Sequence, residues 1–387
     1  MHEYLEFPVE EFHSRIARTR RLMADAGVDA LLVTAANNLT YLSGYRSALF
    51  ESQFRPFVAL VPLVGDPVLI LPSLEKGVGE GYSWIDDLRT WGTQPGDLTA
   101  DPLAAIISIV ASEGYGSARI GIELDLQRFG LTHGQYATLQ AGLPGVTWVD
   151  SSALLWKARS VKSPAEVARL RKAAEISDAA WHAVLDQATV GTTEREIHRI
   201  LGETFMAEGG DPDGFIVVNA GVGRYKMANP FASDYALQGG DMCIIDYGAV
   251  YKGYWCDLTR AFFAGSVGER QKELYEFSVA ATAAVFDFVK PGVTCSEVDA
   301  FGEAFIRDAG LGHLLLHRTG HAIGLEMHEL PSLGITDTTV IEEGMVLAIE
   351  PALYDFEVGA FRMEDIIVVT ESGAEYLSNG ERSLRVL

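Results

Sequence analysis

Acidic residues on apolar, strand-like stretches carry the strongest chemical signal in this sequence. Cys243-Ile244-Ile245-Asp246-Tyr247-Gly248 reads as a buried strand ending in an acid, and eleven residues after Asp246 comes Asp257, within Trp255-Cys256-Asp257-Leu258-Thr259-Arg260. Tyr251-Lys252-Gly253-Tyr254 between them reads as a turn, so a hairpin would bring the two carboxylates together. A carboxylate buried without a partner is costly, and two close carboxylates repel unless a cation lies between them. From these two residues alone a metal site and a simple Asp257–Arg260 ion pair both remain open.

More ligand types follow in the last third of the chain. His317-Arg318-Thr319-Gly320-His321-Ala322-Ile323-Gly324-Leu325-Glu326-Met327-His328 places three of the nine histidines in one glycine-punctuated stretch. Val346-Leu347-Ala348-Ile349-Glu350 is another apolar run ending in an acid. Phe361-Arg362-Met363-Glu364-Asp365-Ile366-Ile367-Val368 reads as a strand with Glu364 near its middle, sharing a face with Arg362, Ile366 and Val368 by the period of two. Asp246, Asp257, His321, Glu350 and Glu364 thus form a candidate set of four carboxylates and one imidazole. Such an oxygen-rich set suits manganese, cobalt, iron or zinc better than a soft thiolate site would.

Several elements must position these residues. The first part of the chain alternates helix and strand. Glu10–Ala26 has helical apolar spacing, and Ala30–Thr34, Phe57–Pro62, Val68–Pro72 and Arg119–Glu123 read as strands, with a helix at Leu103–Glu113. This is an α/β domain, assigned to residues 1–158. Ser163-Pro164-Ala165-Glu166 is a capping box with proline at the first helical position, so a new helix starts there. Lys157–Lys162, polar and basic, reads as a linker. Within residues 159–387, Gly191-Thr192-Thr193-Glu194-Arg195-Glu196 leading to Gly202-Glu203-Thr204-Phe205 is echoed by Gly292-Val293-Thr294-Cys295-Ser296-Glu297 leading to Gly302-Glu303-Ala304-Phe305. Two helices with one start signal predict a duplicated α+β half-domain with pseudo-twofold symmetry.

At 387 residues and 48% apolar, the chain is large enough for two cored domains. The formal charge of −23 argues against nucleic acid and anionic membranes as partners. Apolar runs such as Ala30–Val33 are far short of the roughly 20 residues needed to cross a bilayer, and Met1–Pro8 contains no Lys or Arg, so no leader is expected. Three scattered cysteines, Cys243, Cys256 and Cys295, fit a reducing compartment. A cytoplasmic protein is the expectation.

The order Asp246, Asp257, Gly320-His321-x-Ile-Gly-Leu, Ile349-Glu350-Pro351 and Arg362-x-Glu364-Asp365 resembles the pita-bread metallopeptidases, which include aminopeptidase P, prolidase, methionine aminopeptidase and their metal-free relative creatinase. Asn38-Leu39-Thr40-Tyr41-Leu42-Ser43-Gly44-Tyr45 is similar to the creatinase/prolidase N-terminal domain. The resemblance implies a pita-bread fold for the second domain and two divalent metal ions, manganese foremost. Asp246 would hold one ion, Asp257 and Glu364 would bridge both, and His321 and Glu350 would complete the second. It further implies a bridging hydroxide as nucleophile, Glu350 as proton shuttle and His328 at the substrate or its tetrahedral intermediate. His317 and Arg362 would orient the ligands. The implied activity is hydrolysis of a small peptide or amide, foremost at Xaa-Pro, by a homodimer.

One departure bears on substrate. The aminopeptidase P, prolidase and creatinase motifs carry a histidine seventeen residues before the first ligand aspartate, and here that position is Asn229. Asparagine hydrogen-bonds but does not carry a proton near neutral pH. Asn229 therefore favours a second class, a small-molecule enzyme on the same scaffold: an ectoine-type hydrolase, a creatinase-like amidinohydrolase or a dimethylsulfoniopropionate lyase-like enzyme. A binding protein without activity is a third class, disfavoured by the intact ligand set. Arg224 and Arg55, the latter in a loop that in relatives reaches a neighbouring subunit's site, are candidate substrate contacts.

Overall fold

A computed structural model of the chain describes residues 3–52, 54–127, 130–212 and 214–387. It divides into two units, Met1–Arg159 and Ser160–Leu387.

The first unit is a mixed sheet covered by helices. β1 (Ala30–Val33), β2 (Val58–Pro62), β3 (Val68–Pro72), β4 (Asp87–Trp91), β5 (Arg119–Ile122) and β6 (Thr147–Asp150) lie in the order β4-β3-β2-β1-β5-β6. β1 is antiparallel to β2 and parallel to β5. The four strand-like runs of the sequence are β1, β2, β3 and β5. The less apolar β4 and β6, at the two sheet edges, gave no comparable signal. The helices are α1 (Val9–Ala26), α2 (Ala36–Ser43), α3 (Lys76–Tyr82), α4 (Pro102–Ser112), α5 (His133–Gly142) and α6 (Ser152–Ser160). Leu32, Leu60, Ile70 and Ile120 of the sheet pack with Ile106, Ile109 and Leu139 of α4 and α5.

The expected linker at Lys157–Lys162 does not exist as one. Lys157–Ser160 is the last turn of α6, and Arg159 and Lys162 are buried. Lys162 Nζ lies 3.0 Å from Glu329 Oε2 in an ion pair that is almost wholly buried. A basic composition had the look of solvated chain, but each of those charges has a partner.

The second unit repeats one plan: two helices, then strands. α7 (Pro164–Gln187) starts at the Ser163 capping box, α8 (Glu194–Ala207) at the Thr193 box and α10 (Cys295–Asp308) at the Thr294 box, while α9 (Glu269–Phe288) precedes α10. The first half carries β7 (Gly214–Ala220), β8 (Met242–Tyr251), β9 (Tyr254–Trp255) and β10 (Leu258–Phe263), ordered β10-β8-β7 with β9 also on β8. The second carries β11 (Gly320–Ala322), β12 (Glu329–Leu333), β13 (Val346–Ile349), β14 (Ala352–Asp355), β15 (Gly359–Arg362), β16 (Asp365–Val369) and β17 (Ala374–Tyr376). Five of these form a sheet ordered β12-β11-β13-β16-β17, and β14 pairs with β15. An isolated bridge, Thr259 to Glu364, joins the two halves at the point where the acids converge.

Local chemistry explains the hairpin. Lys252 and Gly253 both adopt positive φ, 52° and 84°, as the tightest hairpin turns require. Gly248 permits close approach of the returning chain, since a Cβ there would lie 1.7 Å from the Cys256 carbonyl oxygen. All three cysteines are buried. Among the described residues no helix is long and apolar enough to cross a membrane.

Candidate metal centre

Asp246 stands on β8, within the strand rather than at its end, paired across to Val217 of β7 and Thr259 of β10. Asp257 sits between β9 and β10, where Gly248 lets the chain close in. His321 is on β11, and Glu350 follows β13 directly. Glu364 differs from the expectation of a mid-strand residue: the run from Phe361 breaks into β15 and β16, and Glu364 lies in the break. Its N–H reaches Thr259 O at 3.3 Å, so the chain leaves one strand pairing to make another.

These five side chains are buried and converge. His321 Nε2 lies 3.6 Å from Asp257 Oδ2, 3.8 Å from Glu350 Oε1 and 4.0 Å from Glu364 Oε1. Ligand atoms of Asp246, Asp257 and Glu364 lie within 4.8 Å of one another, as do those of His321, Glu350 and Glu364. Those two overlapping trios would suit two ions sharing Glu364.

The electrostatics call for cations. Burial raises the Asp257 carboxyl well above the usual range, and Glu364, Asp246 and Glu350 raise it further. Burial and then Glu350 do the same to Glu364. Asp246 Oδ1 and Asp257 Oδ1 are buried without a hydrogen-bond partner among the described residues. Burial, with His328 beside it, pushes His321 down to about 3 and holds it neutral. Its Nδ1 lies 3.0 Å from the Ala322 carbonyl oxygen, an acceptor, so Nδ1 carries the proton and the Nε2 lone pair faces three carboxylates. A lone pair and carboxylates at these distances repel one another, whereas divalent cations between them satisfy all. The donor set therefore fits metal ions, and the pairing of His321 Nδ1 with a carbonyl is how ligating imidazoles are held.

Around this cluster lie orienting groups. Arg362 donates to Asp246 Oδ2, to Thr259 Oγ1 at 2.7 Å and to the Tyr354 hydroxyl at 3.4 Å. Thr259 Oγ1 donates in turn to Glu364 Oε2 at 2.7 Å. His317 Nε2 meets the Tyr354 hydroxyl at 2.9 Å, and its Nδ1 lies 3.9 Å from Glu350 Oε2. Behind Glu364, the fully buried Arg260 binds the carbonyl oxygens of Thr259 and Glu364 and the Asp365 carboxylate at 2.7 Å. Arg260 thus pairs with Asp365 rather than with Asp257. The His328 ring lies 4.2 Å from that of His321 and is exposed at the rim. Thr259 and Tyr354 carried no sequence signal of their own, because only the cross-strand geometry brings them to the acids.

The candidate substrate contacts fare differently. Asn229 is exposed on the irregular run after β7, while its neighbours Met227 and Ala228 line a pocket with Asp246 and Arg362. Arg224 is not turned to that pocket as a free cation. Its guanidinium clamps the buried Glu194 carboxylate at 2.8 and 2.9 Å, donates to Ala220 O and stacks on Tyr235. Arg224 is accordingly corrected from substrate contact to loop anchor. Arg55 is half-buried in the first unit against the Phe54 ring.

Comparison with known proteins matches residues 168–371 to metallopeptidase family M24 and residues 15–161 to the creatinase/prolidase N-terminal domain. The chain is 36% identical over 226 residues to the Xaa-Pro dipeptidase of Pyrococcus furiosus, covering 58% of this chain and 65% of that protein. Among solved structures, the dipeptidase PepE of Mycobacterium ulcerans superposes with a TM-score of 0.86 at 30% identity, covering 98% and 99% of the two chains. The Xaa-Pro dipeptidase of Bacillus anthracis gives 0.86 at 28% identity, covering 97% and 100%.

Proposed function

This chain belongs to metallopeptidase family M24, and on that premise we propose that it hydrolyses the Xaa-Pro bond of dipeptides or short peptides. The observation that carries the reading is the convergence of Asp246, Asp257, His321, Glu350 and Glu364 in one buried cluster whose charges call for cations. Asp246, Asp257 and Glu364 would hold one ion, and Asp257, His321, Glu350 and Glu364 the other. When bound, two divalent ions would supply an acidified water and Lewis acidity for the scissile carbonyl. Manganese is our first choice, with cobalt, iron and zinc as alternatives, because the donors are oxygen-rich with one imidazole.

The remaining chemistry belongs to side chains. Glu350 accepts the proton of the attacking water on Oε2, facing His317, and passes it to the departing proline nitrogen. His328, at the rim, donates to the carbonyl oxygen as charge builds there. His317 and Arg362 keep Glu350, Asp246 and Tyr354 in register. The reading includes a cytoplasmic homodimer, supported by the buried, unpaired cysteines and the family resemblance, with Arg55 and Asn229 as substrate contacts.

A substrate panel tests this. Enzyme loaded with manganese should cleave Xaa-Pro dipeptides at least a hundredfold faster than matched Xaa-Ala dipeptides. Inactivity on every Xaa-Pro compound, with turnover of a non-peptide amide, would move the assignment to the small-molecule class that Asn229 favours.

A further inference from the structure

An ion pair lies on the core side of the strand that begins beside His328. Lys162 Nζ meets Glu329 Oε2 at 3.0 Å, and the two side chains are 2% and 1% exposed. Desolvation of both charges offsets most of their attraction, so such a pair contributes little net stability. What it does impose is a register, because only one placement of the chain lets the charges meet.

That register decides where His328 faces. Glu329 opens β12 opposite Ala322 of β11, and further along Ser332 lies opposite His321. Side chains paired across two strands share a face, and neighbours along a strand alternate. The pairing is irregular between these two points, yet burial along β12 still alternates, with Glu329, Pro331 and Leu333 buried. Glu329 is therefore on the face of Ala322, which belongs to a core with Leu333, Leu347 and Ile349. His328, one residue earlier, is on the face of His321. The two rings lie 4.2 Å apart, and ligand atoms of Asp257, His321 and His328 come within 4.8 Å of one another. A slip of one residue would turn the imidazole to the core and the carboxylate to the metal centre.

Both partners are themselves held. The Lys162 N–H donates to Gly344 O at 2.9 Å, and Nζ also donates to Ser160 O at 3.4 Å. The Glu329 carboxylate fills the inside of the turn that precedes it. Its Oε1 accepts the Glu326 N–H at 3.2 Å, and a Cβ on Gly324 would lie 2.7 Å from that oxygen. The cation fixes the carboxylate, the carboxylate fixes the turn over 324–328, and the turn presents His328.

We propose that Lys162 and Glu329 are positioning residues for the reaction, a buried ion pair that sets His328 toward the metal centre. The proposal rests on the role given to His328 above.

The pair can be removed without stranding a charge, by combining Lys162→Met with Glu329→Gln. Loaded with manganese, this double variant should keep the metal content of the parent. Its kcat on an Xaa-Pro dipeptide should fall about tenfold with KM little changed, because a misaimed donor acts on the transition state more than on binding. Added to His328→Ala, the same two substitutions should lower kcat no further. A tenfold loss in both backgrounds, or loss of metal or of the folded state, would show a merely structural pair and overturn the proposal, as would an unchanged kcat. A second measurement needs no turnover. In zinc-loaded protein labelled at histidine, the His328 ring resonances, identified by their absence from His328→Ala, should shift or broaden in the double variant; unmoved resonances would overturn the proposal. If the unaltered enzyme cleaves no Xaa-Pro peptide, the peptidase reading fails and the resonances alone decide the role of the pair.

Discussion

Asp257 and Glu364 show what single residues contribute. Each is buried, and each has neighbouring carboxylates that make its ionised form still less favourable. Without metal, these groups hold their protons more tightly folded than unfolded. Stability is then greatest below the ordinary carboxylate range and falls as pH rises through it. Asp257→Asn removes one such group. In chelated protein the variant should gain melting temperature over the parent, the gain absent near pH 3 and growing from about pH 4 upward. With metal restored the order should reverse, and turnover should be lost; a variant that keeps both metal and activity would overturn the ligand assignment. At this scale the acids and His321 were legible because a charged residue on an apolar strand needs a reason. Thr259 and Tyr354 were not, because an uncharged polar residue declares its role only through the register that brings a neighbour to it. Arg224 misled for the opposite reason: a cation in a loop suggests solvent or substrate, and its partner Glu194 lies thirty residues away on a helix.

Among the elements, the hairpin of β8 and its return strands does the most for the site. Gly248 lets the Cys256 carbonyl pass against β8, which delivers Asp257 to the cluster. Gly248→Ala puts a Cβ where that oxygen sits, and backbone on both sides has no rotamer with which to yield. We expect a loss of about 2–4 kcal/mol in denaturant unfolding, together with metal content well below that of the parent; unchanged metal stoichiometry would show that the hairpin tolerates the shift. The capping boxes at Ser163, Thr193 and Thr294 were readable because they are contiguous and each ends in a side chain-to-backbone pair. The break at Glu364 was hidden, since Phe361–Val369 is apolar enough to read as one strand. The pairing of Thr259 with Glu364, between a stretch paired to β14 and one paired to β13, interrupts it.

For the molecule as a whole, every proposed ligand comes from the second unit, Ser160–Leu387. That unit has its own cores, one around Phe263, Leu353 and Phe361 and another around Val285, Leu347 and Ile367. Residues 160–387 produced alone should therefore fold and bind two metal ions, as followed by circular dichroism and metal analysis. A fragment that is unfolded even with metal would make the first unit part of the folding unit. The two-unit organisation was visible from the Ser163 helix start, while the edge strands β4 and β6 were missed because little apolar surface marks them.

The bridge between Thr259 and Glu364 ties this to time as well as to equilibrium. Asp246 and Asp257 belong to the first half of the duplication, and His321, Glu350 and Glu364 to the second. Neither half can complete the cluster, so ions held there act as clasps across a seam. Separating the halves must break several coordination bonds in one event. Bound metal should thus lengthen the native lifetime, and chelation should shorten it, by acting on the rate of opening.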